Sequence, residues 1–185
     1  ATFHPPTLRI LADLGLDLAG HGLSARTIAY RDSLCTKVIR FDLGELAAET
    51  PYPYRRHVPQ LQVCRLLLAE LVGSPRCRIT FDVRAELGMA GEYRWVFAAD
   101  GANSGLRSSA GVAFSGVGYA GTVVRLICEP AGFTGWDAVT YVFRDHESVS
   151  VLRMRDHVRV IVRIEEGAGD PAAAAMDAAT RVLRM

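Results

Sequence analysis

Phe97-Ala98-Ala99-Asp100-Gly101-Ala102-Asn103-Ser104-Gly105-Leu106-Arg107 is the stretch on which the reading of this chain turns. Trp95-Val96-Phe97-Ala98-Ala99 is apolar throughout, as expected of a strand covered on both faces. It stops abruptly at Asp100-Gly101, which puts polar chemistry at the carboxyl end of a buried strand. Open α/β sheets bind ligands outside the carboxyl ends of their strands. Glycine lets a ligand approach the backbone closely. Asn103 or Ser104 suits the cap of a short helix whose N–H groups face an anion, and Arg107 offers a planar cation for phosphate oxygens. On residue chemistry alone the same string also reads as a helix-start turn with a surface arginine, because Asp-Gly turns are common.

Working outward, Arg78–Leu87 alternates almost perfectly: Ile79, Phe81, Val83, Ala85 and Leu87 against Thr80, Asp82, Arg84 and Glu86. That pattern predicts a half-buried strand. Upstream, Leu61, Cys64, Leu68 and Leu71 fall on one stripe of a helix that Gly73 ends. Pro51-Tyr52-Pro53-Tyr54-Arg55-Arg56-His57 reads as an exposed connector, since its prolines exclude helix and central strand. Before it come strand candidates Thr27–Tyr30 and Lys37–Leu43. A first short helix from His4 to Leu16 has proline in its first turn, Leu8, Leu11 and Ala12 on one face, and Gly15-Leu16 as a left-handed cap with a hydrophobic follow-on. Downstream, Val117–Ile127, Val139–Phe143, Val149–Met154 and Val158–Ile164 are strand candidates, the last two joined by Arg155-Asp156-His157 as a hairpin. Asp170-Pro171 then caps an alanine-rich helix that runs, unfinished, to Met185.

Composition excludes several classes. The 185 residues allow one large domain or a domain and a half, half of them apolar, with a formal net charge of +1. That balance gives no electrostatic case for nucleic acid. Lys37 is the only lysine among 21 basic residues. Cys35, Cys64, Cys77 and Cys128 form no CxxC and sit at no metal-ligand spacing, so they read as buried and reduced and no metal is expected. No apolar run is long enough to span a bilayer, and the reading is of a soluble, cytoplasmic chain. The five histidines make no triad, and no GxSxG elbow occurs. Asp145-His146 and Asp156-His157 read as solvated turn residues. Arg153, Arg155, Arg159 and Arg163 suit either a cationic face for an acidic substrate or the polar outer face of a sheet. Phe114, Tyr119, Trp136 and Tyr141 suit a substrate cavity or core.

The string Ala99-Asp100-Gly101-Ala102-Asn103-Ser104-Gly105-Leu106-Arg107 closely resembles the second fingerprint of the class A FAD-dependent aromatic monooxygenases, the para-hydroxybenzoate hydroxylase-like family. There the motif serves both FAD and NAD(P)H. Gln60-Leu61-Gln62-Val63-Cys64-Arg65 resembles the family's glutamine-to-arginine helix start, which makes Gln60 a flavin contact and has Arg65 anchor the helix or the cofactor's phosphates. By resemblance the cofactor-binding set is Gln60, Arg65, Asp100, Gly101, Ser104 and Arg107. Against these roles stand solvated readings, Gln60 as a helix-start residue and Arg65 as an exposed helix arginine.

The resemblance implies an α/β fold: an incomplete Rossmann-like FAD-binding domain with an inserted, mostly antiparallel β-sheet substrate domain. Residues 1–112 would hold the FAD-binding portion, with substrate-domain strands at 24–56, and residues 113–185 the substrate sheet and following helix. The activity implied is hydroxylation of an aromatic or polyketide-like substrate with FAD, NADPH or NADH, and dioxygen. The flavin carries that chemistry, so no catalytic side chain is named. Alternatives are the same scaffold used for epoxidation, halogenation or reduction, or a cofactor-free interaction module. The partner implied is a small aromatic molecule, with no nucleic acid and no membrane insertion. No GxGxxG loop opens a first βαβ unit, no later Gly-Asp fingerprint follows, and Gly88–Glu92 replaces a longer hairpin. The expectation is a fragment of a longer enzyme.

Overall fold

The computed structural model describes residues 1–34, 38–145, 147–165, 167 and 169–184. Its contacts divide it into one unit of residues 1–70 and 120–185 and another of residues 71–119.

A six-stranded sheet organises the larger unit. It contains β3 (Thr27–Asp32), β4 (Val38–Asp42), β6 (Thr122–Cys128), β7 (Val139–Arg144), β8 (Glu147–Arg153) and β9 (Val158–Ile164), in the order β4-β3-β7-β8-β9-β6. β3 and β7 run parallel, and every other neighbouring pair is antiparallel. The late strands follow their β-branched alternation: Val149, Val151, Val158, Val160 and Val162 all point to one face and are at most 2% exposed. Helix α4 (Pro171–Leu183) lies on that face and packs Ala175, Ala178, Ala179 and Val182 into the valines. Burying each such valine contributes about 1.5–3 kcal/mol relative to exposure, and the alanines let the helix come close. Asp170 accepts from the N–H of Ala172 at 2.9 Å as the expected cap. The helix closes on Arg184 in the left-handed region, φ 56°; Met185 lies outside the described residues. Two ion pairs link elements of this unit, Arg40 of β4 with Asp137 at 3.0 Å and Arg181 of α4 with Glu147 of β8. Val117–Gly121 is not strand, and β6 begins at Thr122. Of the early strand Lys37–Leu43, Lys37 and the nearby Cys35 lie outside the described residues, and Leu43 starts a 3-10 turn that Asp42 caps.

A second, three-stranded sheet in the same unit has the order β1-β5-β2, with β1 (Thr2–Phe3), β2 (Leu23–Ala25) and β5 (Arg55–His57). This corrects the reading of Pro51–His57. Only Pro51–Tyr54 is connector, and Arg55–His57 is the central strand. The prolines at 53 and 59 bracket that segment without entering it, so its N–H groups are free to pair with β1 and β2. Helix α1 (Pro5–Asp13) ends as anticipated: Gly15 takes φ 83°, its N–H bonds Ala12 O at 2.9 Å, and Leu16 N–H bonds Leu11 O at 2.8 Å. Leu8, Leu16, Leu18 and Val58 form the local core with Val63 of helix α2 (Gln60–Val72). The stripe expected on α2 is not its buried face. Leu61 is 61% exposed and Leu71 46%, while Val63 and Leu66 turn inward. Five leucines and a cysteine spread around this helix leave no single apolar stripe to fix its orientation.

Residues 71–119 differ most from expectation. Arg78–Leu87 forms no strand, because Asp82 takes φ 58° and turns the chain in mid-run. Trp95–Ala99 is neither strand nor buried, with Trp95 73% and Phe97 88% exposed. A strand needs a neighbour for its N–H and C=O groups, and among the described residues of this unit there is no ladder. Its regular pieces are a 3-10 turn, Leu87–Glu92, and helix α3 (Gly105–Ser109). The cysteines are not uniformly buried either: Cys64 is exposed and Cys77 and Cys128 are half-buried, all three free.

Candidate functional site

The Asp100–Arg107 turn is a closed hydrogen-bonded unit within residues 71–119. Ser104 is 5% exposed and caps α3, its Oγ accepting from Arg107 N–H at 3.0 Å. The same hydroxyl donates to Asp100 Oδ1 at 2.5 Å, and Leu106 N–H donates to Oδ2 at 3.2 Å. The Ser104 hydroxyl first, and the Leu106 N–H after it, hold the Asp100 carboxyl below the usual carboxylate range. The expected anion at the α3 start is therefore supplied from within, by Asp100. Gly101 takes φ 88°, a left-handed turn that L side chains resist, and a side chain there would meet nothing within 4 Å. Its backbone is bare on an open side. The Arg107 guanidinium donates to Ala102 O at 2.9 Å and lies 4.4 Å from the Phe114 ring centroid, a cation–π contact. Leu87, Val96, Ala98, Gly101, Leu106, Arg107 and Val112 line an apolar hollow of about 450 Å³ beside this turn. Four of the six anticipated site residues, Asp100, Gly101, Ser104 and Arg107, thus share one turn.

The other two, Gln60 and Arg65, sit on α2, both exposed. Just before them, on β5, lies a residue that the connector reading had left exposed. His57 is fully buried, and its Nδ1–H donates to Arg153 O at 2.6 Å. Its Nε2 is buried with no protein partner. Burial foremost, partly offset by the bond to the Arg153 carbonyl, pushes its pKa below the ordinary histidine value, and the positive charges of Arg55 and Arg159 act in the same direction as burial. The backbone around it is fixed by Gly22, where a Cβ would fall 1.9 Å from His57 O. A cavity of about 170 Å³ adjoins His57, lined also by Gln62, Met154, Arg155 and Asp156. Gln62 donates to His21 Nδ1 at 2.9 Å.

Asp156 and His157 are not merely a solvated turn. His157 is half-buried, its Nδ1–H donates to Asp156 Oδ1 at 2.7 Å, and its Nε2 accepts from Arg159 Nε at 3.2 Å. Of the other pair, Asp145 is exposed and His146 lies outside the described residues. The four late arginines divide. Arg153 bonds Trp136 O and Arg155 bonds Gly20 O and Gly22 O, whereas Arg159 and Arg163 stand on the opposite sheet face from the valine core. Trp136 packs against Phe133 and the valine core, and Tyr141 stacks on Tyr30. Gly116-Val117-Gly118-Tyr119-Ala120-Gly121 has GxGxxG spacing, but it leads into strand β6 rather than a helix and so is not a dinucleotide loop.

Among the described residues, no cluster of His, Cys, Asp and Glu could hold a metal ion, and no helix is long and apolar enough to cross a membrane. No family model matches the chain. It is 29% identical over 124 residues to the 6-hydroxy-3-succinoylpyridine 3-monooxygenase HspB of Pseudomonas putida (strain DSM 28022 / S16), covering 57% of this chain and 32% of that protein. Among solved structures it superposes on the p-nitrophenol 4-monooxygenase PnpA of Pseudomonas putida DLL-E4 with a TM-score of 0.81 at 20% identity, covering 98% of this chain and 52% of PnpA. HpxO of Klebsiella pneumoniae, solved with FAD and uric acid, matches with a TM-score of 0.67 at 20% identity, over 98% of this chain and 51% of HpxO. The chain therefore spans about a third of the curated relative and about half of each solved structure. Its mixed α/β fold is theirs, and in sequence it is similar to part of the monooxygenase HspB.

Proposed function

We propose that the protein is an FAD-dependent monooxygenase that hydroxylates an aromatic or polyketide-like substrate with NAD(P)H and dioxygen. The observation that carries this reading is the Asp100–Arg107 turn: a capped helix start with an open glycine backbone and a fixed arginine, in a chain that follows PnpA and HpxO along 98% of its length. The residues present fit the cofactor. Gly101 leaves its backbone free for close approach, and Gln60, Arg65 and Arg107 offer the amide and guanidinium donors that ribose hydroxyls and phosphates need.

In this reading Gln60 and Arg65 hold the FAD from the start of α2, while Asp100, Gly101, Ser104 and Arg107 serve FAD and the nicotinamide nucleotide. Asp100 acts as a fixed acceptor and as the brace of the turn, with Ser104 holding its orientation. The bound flavin supplies the oxidative chemistry. The chain's own residues bind, orient and exclude water, and none is needed as acid or nucleophile. Residues 1–112 then form the Rossmann-like FAD-binding portion, with residues 24–56 and 113–185 giving the substrate sheet. The substrate is a small aromatic molecule, as the names of HspB and PnpA suggest.

The test is the full-length protein reconstituted with FAD. Bound flavin absorbance and substrate-stimulated NAD(P)H oxidation are the expected results. A colourless protein that retains no flavin under any reconstitution would overturn the proposal.

A further inference from the structure

A buried polar ring with an unsatisfied acceptor destabilises a fold, and an apolar residue of similar size fills the same space without that cost. His57 is such a ring, its Nε2 buried without a partner. What it gives in return is one bond, from Nδ1–H to Arg153 O at 2.6 Å, between residues 96 positions apart. That bond joins the two sheets of the larger unit. His57 ends β5, the middle strand of the three-stranded sheet, and Arg153 ends β8 of the six-stranded sheet, where the chain turns toward β9. Met154 N–H bonds His157 O at 2.8 Å and closes that turn. From within it Arg155 reaches back to the three-stranded sheet, donating to Gly20 O at 3.4 Å and Gly22 O at 3.0 Å just before β2. Gly22 in turn is pressed against the His57 carbonyl, too closely for any side chain.

The anchor at His57 is passed on to α2 with little slack. Only Val58 and Pro59 separate it from Gln60. Val58 is fully buried in the local core, and proline fixes φ at position 59. Pro59 O accepts the first bonds of the helix, from Gln62 N–H at 3.0 Å and Val63 N–H at 3.4 Å. The Gln62 side chain is held as well, donating to His21 Nδ1 at 2.9 Å beside the two glycines that Arg155 grips.

We infer that His57 is a positioning residue: its bond to Arg153 O sets the start of α2, and with it Gln60, against the β8–β9 turn. The inference deepens the monooxygenase reading and rests on it for the contact of Gln60 with the flavin. In that reading α2 holds the cofactor and the six-stranded sheet carries the substrate, so the bond fixes one against the other. Reacting groups held about 1 Å out of place can lose roughly a hundredfold in rate. His57 has no exposed surface and acts on both through the backbone alone.

The experiment separates the bond from the space the ring fills, using three variants of the full-length protein. Asparagine carries an amide N–H as many bonds from the backbone as Nδ1, glutamine carries it one bond further out, and leucine has no donor. Amide hydrogen exchange is read at Gln62, Val63 and Met154 relative to Val151, whose exchange reports global unfolding. The FAD dissociation constant and the melting temperature are measured on the same samples. His57→Leu and His57→Gln should speed exchange at the three amides, relative to Val151, by roughly tenfold and weaken FAD by about tenfold, the worth of one hydrogen bond. His57→Asn should restore both to within about threefold while its melting temperature stays lowered, because the smaller side chain leaves space unfilled. If His57→Leu does not fold, the contrast between Asn and Gln carries the test. Unmoved relative exchange in the Leu and Gln variants, no restoration by Asn, or FAD affinity that follows melting temperature instead of the donor would each overturn the inference. A wild type that retains no flavin would sink the monooxygenase reading alone, with the exchange pattern still deciding whether His57 sets the start of α2.

Discussion

The β7-β8-β9 strands and residues 78–99 carry hydrophobic patterns of similar quality, yet only the first set forms a sheet. Val149, Val151, Val158, Val160 and Val162 alternate, pair in register and disappear into the core. Ile79, Phe81, Val83, Ala85 and Leu87 alternate just as well and form no ladder, and the wholly apolar Trp95–Ala99 lies exposed. Periodicity reports which face a segment would bury if it were a strand. Whether it becomes one depends on a neighbour to take its backbone hydrogen bonds and a layer to cover its apolar face. β8 has both, in β7 and β9 at its edges and α4 above.

Hydrogen exchange gives the widest separation between the two regions. Amides of β7, β8 and β9 are expected to exchange roughly a thousandfold or more slowly than those of residues 78–99, because paired core strands open only with global unfolding. Comparable protection in both, read residue by residue by NMR, would erase the distinction.

Substitutions sharpen it. Val151→Asp places an unpaired charge at a site with no exposure and is expected to cost more than about 4 kcal/mol in denaturant unfolding. Phe97→Ser, at 88% exposure, is expected to change stability by less than about 0.5 kcal/mol. A large loss from Phe97→Ser would mean that this segment is packed after all.

These contrasts also mark what was legible in the sequence. β7, β8, β9, α4 and the cap of α1 could be read directly, since each depends on local pattern plus one cap or turn. β5 could not. Flanking prolines made Arg55-Arg56-His57 look like loop, and its burial follows from β1 and β2 closing on either side, a non-local event. At the candidate site, the Asp100-Ser104-Arg107 turn was legible because its bonds span at most six residues. The burial of His57 was not, because it follows from the pairing of β5 with β1 and β2.

His57 offers a pH probe of the larger unit. Its folded pKa is depressed, so below its ordinary value of 6.5 the unfolded chain binds a proton that the folded chain refuses. Stability should therefore fall as pH drops below about 6.5, with a slope of up to about 1.4 kcal/mol per pH unit for one proton. His4, whose pKa burial and Arg55 also lower, adds in the same direction. Unfolding free energies across pH 5 to 7.5 should lose most of this slope in His57→Gln, and an unchanged slope would place the titration elsewhere. A smaller effect is expected within residues 71–119. Ser104→Ala removes the α3 cap and frees Asp100, raising the Asp100 pKa and weakening the turn by about 1 kcal/mol. Carboxyl NMR shifts across an acid titration report it, and a pKa that does not move would contradict the geometry.

The central claim is that the Asp100–Arg107 turn serves the cofactors, and Arg107→Lys in the full-length protein tests it most directly. Lysine cannot reproduce the planar fork. The loss of a charge-assisted hydrogen bond, about 1.5–3 kcal/mol, corresponds to a tenfold to hundredfold weakening. Phe114→Ala removes the ring beneath the guanidinium and controls for loosening of the turn alone. The FAD dissociation constant by fluorescence quenching, with KM for NADPH measured beside it, should rise by that factor in Arg107→Lys and far less in Phe114→Ala. Unchanged values of both in Arg107→Lys would return Arg107 to a purely structural role and contradict the account.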